Sequence, residues 1–153
     1  MNEENTRRLF ERFDPLYRGR YLLPIQNSMS FGFGCGDGWF NLVWQLSEQI
    51  EAYCQQHSEA ADLMAVQVKQ KLGELRFYTD PKIWDVEYLI EDARIQSLQT
   101  CELTGAPGVL CQQQSHPGFC FYQTLCPTKA AELGFVPSRS SRLHPQLPPR
   151  RST

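Results

Sequence analysis

No run of apolar residues in this chain approaches the ~18 that a membrane-spanning helix needs, so a membrane span is not expected. The opening residues, MNEENTRRLFERF, are charged and contain no apolar leader core. That absence points to the cytoplasm, where the six cysteines are expected as thiols or metal ligands rather than disulfides. Neither GxGxxG nor GxxxxGK[ST] aligns anywhere, and the Gly-rich stretch has no lysine, which argues against a phosphate loop. Histidine is scarce, with three residues at 57, 116 and 144, so bases for a catalytic thiol are few. No acidic residue follows position 135, and no internal repeat is visible.

What the chain contains suits one globular domain of 153 residues, with 41% hydrophobic and 12% aromatic residues. Charge is uneven along it. Four arginines (139, 142, 150, 151) lie in the last 18 residues. Subtracting them from the 15 basic residues leaves 11 against 17 acidic, a net charge of −6 for residues 1–135. An acidic body disfavours nucleic acid as its partner. The tail from 136 is basic and rich in Pro and Ser, and disorder is expected there. It also holds PQLPPR (145–150), which matches the PxxPxR pattern of polyproline-II ligands.

Periodicity predicts an α+β fold with a small antiparallel sheet and two main helices. A short helix is expected at 5–13, capped by Asn5 or Thr6 and ended by Asp14-Pro15. Residues 16–27 read as irregular, broken by Gly19 and Pro24. Asp37 is expected to cap a helix reaching Gln56. Alternation at Val66/Val68 and Leu75/Phe77 predicts a hairpin over 65–79 with Gly73 at its turn. Asp80-Pro81 predicts the start of a helix running to about Gln99. The expected core is Trp39, Trp44, Leu46, Ile50, Val66, Val68, Leu75, Phe77, Tyr88 and Leu89. The glycines at 32, 34, 36 and 38 are expected to serve backbone geometry and close packing. The organisation expected is a body over 1–99, a cysteine-bearing lobe over 100–135 and the tail over 136–153.

The lobe carries the candidate metal ligands. A structural zinc ribbon brings two Cys-x-x-Cys knuckles onto one ion. Here the first knuckle reads Cys101-Glu102-Leu103-Thr104 and the second Cys126-Pro127-Thr128-Lys129, so each keeps one cysteine. Cys101, Cys111, Cys120 and Cys126 would supply four thiolates in number, and His116 lies among them. The competing expectation is that these cysteines are compact apolar core residues and that no cofactor is bound.

Four runs carry a resemblance: LFERFDPLYRGR (9–20), MSFGFGCGDGWFNLVWQLSEQI (29–50), VQVKQKLGELRFYTD (66–80) and CELTGAPG…TLC (101–126). Together they resemble an uncharacterised family of small bacteriophage and prophage proteins. The resemblance implies a C-terminal ribbon with ligands at the positions held here by Cys101, Thr104, Cys126 and Lys129. It implies no activity. The function expected is a non-enzymatic protein-interaction module, phage-encoded and acting on a host protein. One alternative is a nucleic-acid-associated module using the lobe and the basic tail. The other is a thiol enzyme using Cys35, with His57 or His116 as base. Glu87 and Glu91, one helical turn apart, read as a solvated acidic face.

Overall fold

A computed structural model describes residues 1–116 and 119–138, the side chains at 114–116 and 119 excepted. Helix α1 spans Glu3–Arg12. It starts two residues before the expected position because Asn2 takes the cap, its side chain accepting from Asn5 N at 2.8 Å. Leu9 and Phe13 on its inner face are fully buried.

Helix α2 spans Phe40–Gln56 and buries Leu42, Val43, Leu46 and Ile50. Asp37 does not cap it. The chain enters α2 through a 3-10 turn over Asp37–Trp39. The Asp37 carboxylate instead accepts from Asn2 N (2.8 Å) and Asn5 Nδ2 (3.0 Å), tying the start of α1 to the glycine run. These bonds, led by that from Asn2, hold Asp37 below the usual carboxylate range. Inside, Ser47 Oγ donates to Val43 O, which leaves Tyr17 Oη to donate to Ser47 Oγ at 2.6 Å.

Strands β1 (Met64–Lys71) and β2 (Glu74–Asp80) form the expected hairpin. Leu72 and Gly73 both have positive φ, 58° and 86°, as a two-residue primed turn requires. The register slips between Ala65 and Gln67, so Val66 has no cross-strand partner. The bulge changes parity. Ala65 and Val68 are buried, while Val66, expected in the core, is half-buried.

Helix α3 spans Trp84–Ser97, three residues later than Pro81 suggests, after a cis Asp80–Pro81 bond. Its buried stripe is Val86, Ala93, Arg94 and Ser97. Trp84 lies two residues from Val86, roughly 200° around the helix, and is therefore 60% exposed. Tyr88 is displaced in the same way and only half-buried, as are Leu89 and Trp44 at the core's edge. The other expected core residues, Trp39, Leu46, Ile50, Val68, Leu75 and Phe77, are buried.

A second antiparallel sheet has the order β4-β3-β5, from β3 (Val109–His116), β4 (Phe119–Leu125) and β5 (Val136–Pro137). Helix α4 (Pro127–Leu133) begins with Pro at its first turn. Strand β5 pairs with β3, and Ser138 N donates to Leu110 O. Residues 136–138, assigned above to the tail, therefore belong to the lobe. The expected disorder and the PxxPxR match fall beyond them, outside the described residues. Among the described residues, two sheets and four α-helices make this an α+β chain, and no helix there is long and apolar enough to cross a membrane.

Candidate functional site

The lobe's joint with the body is the glycine run and the hairpin turn. Gly38 N donates to Glu102 O (2.8 Å), Gly36 N to Glu102 Oε1 (3.0 Å) and Trp39 Nε1 to Thr100 O (2.8 Å). From the hairpin, Gln70 Nε2 donates to Tyr122 O, and Thr124 Oγ1 donates to Gly73 O, both at 2.6 Å. A Cβ on Gly36 would lie 2.4 Å from Glu102 O, and one on Gly38 2.2 Å from Cys101 O. Two backbones approach closely there, as the glycine spacing suggested. The run also meets β1, where Gly34 N donates to Val68 O and Gln70 N to Gly34 O.

Behind this joint lies the lobe's small core: Cys101, Cys111, Leu125, Cys126 and Ala130, with Phe135 against it. Three of the four knuckle positions, Cys101, Thr104 and Cys126, meet here. The Thr104 hydroxyl donates to Cys126 Sγ at 3.7 Å, and Cys101 is buried in the same core. Burial pushes the Cys101 thiol up. The polar groups of Thr104 and the main-chain amides of Cys126, Leu103 and Thr104 around it outweigh burial and hold the thiol below its usual range. Lys129 binds Glu132 at 2.6 Å, and that partner, with lesser help from the Cys126 and Cys101 sulfurs, raises its ammonium.

This donor set does not fit zinc. A hydroxyl and an ammonium stand where two thiolates are required. Cys111 is buried in the same core, with its thiol directed to Val109 O and pushed up by burial. Cys120 pairs with Gln114 near the far end of the hairpin and is not in the cluster. Among the described residues, no group of three or more His, Cys, Asp or Glu is arranged to hold a metal ion.

The proposed thiol nucleophile is poorly placed for chemistry. Cys35 is 4% exposed, and burial pushes its thiol up to about 12. His57 stacks on Tyr53 with ring centroids 3.9 Å apart, and its Nδ1 bonds Tyr53 O. Glu87 and Glu91 each face a cation, Lys82 at 3.4 Å and Arg94 at 2.7 Å.

The most distinctive surface is one that periodicity passes over. Between 3-10 turns at Arg18–Tyr21 and Ser28–Phe31 the chain makes a loop held from within. Leu22 N donates to Gly19 O, Leu23 N to Gln26 Oε1, and both Gln26 N and Asn27 N to Leu23 O. Asn27, 2% exposed, anchors the base, donating to Ala65 O at 3.1 Å and accepting from Met29 N at 2.8 Å. It fits only because residue 19 is glycine, where a Cβ would lie 2.1 Å from Asn27 Nδ2. With the N–H groups of Leu22, Leu23, Gln26 and Asn27 bonded within it, the loop presents Tyr21 (69% exposed), Leu22, Leu23, Ile25 (92%) and Phe31 (77%) to solvent.

Charges of both signs border this loop. Arg20 lies over the rings of Phe10 (4.6 Å) and Tyr21 (4.5 Å) and bonds Asp14 at 2.6 Å. Beyond Phe10, Arg7 is held between Glu4 and Glu11. The available signal was the run YLLPI between Gly19 and Gly32, which follows neither helical nor strand periodicity. Compared with family models, curated proteins and solved structures, the chain matches none.

Proposed function

We propose that this chain is a non-enzymatic protein-interaction module, of the phage-encoded kind that acts on a host protein. The reading is carried by the loop over 21–31. An apolar surface with a pre-ordered backbone avoids most of the ordering cost that binding otherwise incurs. Exposed apolar patches of this size on soluble domains mark contact sites. Aromatic anchors such as Tyr21 and Phe31 are the side chains that most often dominate binding energy. The phage assignment is supported by the four sequence runs alone.

The test is capture of partners from host lysate by the full chain and by Leu23→Asp and Ile25→Asp variants. Both side chains are exposed, so neither change disturbs the core. A stoichiometric partner held by the parent chain and lost by both variants is the expected result. Recovery of no stoichiometric protein, or of one indifferent to both variants, rejects the reading.

A further inference from the structure

We propose that the loop face over Tyr21–Phe31 binds a second copy of this chain. The inference rests on reading that loop as a contact surface and names its first occupant.

Three observations favour a copy of itself. The first is area. From their fractional exposures, Tyr21, Leu22, Leu23, Ile25 and Phe31 together leave roughly 700 Å² open. The largest patch on a typical monomer is about 300–600 Å². A standard interface covers about 800 Å² on each partner. The patch is therefore large for a monomer and close to half of an ordinary interface.

The second is charge. Residues 1–135 carry a net charge of −6, so two copies repel over most of their surfaces. Beside the loop Arg20 binds Asp14 and Arg7 binds Glu4 and Glu11, two cations against three carboxylates and a local net charge of only −1. Repulsion between copies is weaker where most of the local acid is neutralised in this way. A two-fold contact also sets a patch against itself, which a rim of both signs permits and a rim of one sign opposes.

The third is order. The loop's N–H groups at 22, 23, 26 and 27 are satisfied within the loop, so docking a copy leaves none of these donors stranded. In the dimer inferred, Leu23 and Ile25 of one copy pack between Tyr21 and Phe31 of the other.

The experiment is sedimentation equilibrium on the full chain, from the low micromolar to the submillimolar range. It is run with Ile25→Asp, with Leu23→Asp, and with Trp84→Ser as a control elsewhere on the surface. The parent chain and Trp84→Ser are expected to show one monomer–dimer equilibrium. Each loop variant should weaken it at least tenfold while keeping the parent's circular dichroism. The apolar contact should also survive added salt, which screens repulsion between the acidic bodies.

A chain that stays monomeric throughout overturns the proposal. So does a dimer that both loop variants leave intact, since the contact then lies elsewhere. The reading of function is separable from this outcome. A monomeric chain that captures a host protein through the loop loses the dimer and keeps the module. A loop-dependent dimer that captures nothing else keeps the dimer and loses the module.

Discussion

Gly38 N donates to the main-chain carbonyl of Glu102 at 2.8 Å, and a side chain at position 38 would sit 2.2 Å from Cys101 O. This pair joins two parts of the molecule that sequence reading treats separately, the glycine run and the first knuckle. Gly38→Ala cannot be relieved by turning a flexible side chain, because the obstructing atoms belong to the backbone. We expect it to destabilise the fold by about 2–3 kcal/mol, as overpacking of tight interiors does. Gly34→Ala, whose nearest neighbour would be Lys69 Cβ at 3.2 Å, should cost under about 1 kcal/mol. Urea denaturation of both variants checks the order, and equal losses would contradict it.

Where regular periods govern, the fold was legible. The hairpin, its Gly73 turn, α2 and the α+β class follow from alternation, apolar spacing and turn chemistry. Errors arise where a single residue shifts the phase. The bulge at Val66 moves the buried face onto Ala65, and the late start of α3 turns Trp84 outward. Tertiary contacts left no local signature. Asp37 suits a helix cap by type, yet the ends of α1 and α2 meet in space and its carboxylate serves α1. The knuckles could be found by spacing alone. The apolar loop could not, because hydrogen bonding within an irregular segment has no period.

Cys35 provides a direct check on the thiol-enzyme alternative. It is 4% exposed, and burial raises its thiol to about 12, so the nucleophilic thiolate is rare at neutral pH. Brief treatment of the native chain with iodoacetamide should leave Cys35 unmodified while the more accessible Cys120 reacts. Peptide mapping by mass spectrometry reads this out. Selective alkylation of Cys35 would restore the enzyme reading.

Glu102 should make the joint sensitive to pH. Burial raises its carboxyl, and the bonds from Gln123 Nε2 (2.8 Å) and Gly36 N (3.0 Å) offset only part of that. With the folded value above the unfolded one, the protonated form is favoured by folding. Its contribution is complete below the unfolded value and is lost as pH rises through the folded one. Glu102→Gln removes this titration and keeps an acceptor for Gly36 N, while the Gln123 amide can turn to present its oxygen. Relative to the parent, the variant should therefore gain stability as pH rises through the carboxylate range and then hold a constant difference. Thermal melts across that range test the sign. A difference that moves the other way would mean that the two hydrogen bonds outweigh burial.

Cys101, Thr104, Cys126 and Lys129 offer a test of how closely their side chains can be brought together. In a tetrahedral site with zinc–sulfur bonds of about 2.3 Å, neighbouring sulfurs lie about 3.8 Å apart. Thr104 Oγ1 already sits 3.7 Å from Cys126 Sγ, and Cys101 is buried in the same small core. Two substitutions, Thr104→Cys and Lys129→Cys, should therefore complete a four-thiolate site with little backbone movement. We expect the double variant to hold one zinc ion at least about 100-fold more tightly than the parent, and to melt higher when loaded because metal binding is coupled to folding. Each single variant should fall well short, since Thr104→Cys leaves the Lys129 ammonium and Lys129→Cys leaves a hydroxyl among the ligands. Chelator competition followed by native mass spectrometry measures both quantities. Equal zinc retention by the parent and the double variant would show that the four positions do not converge.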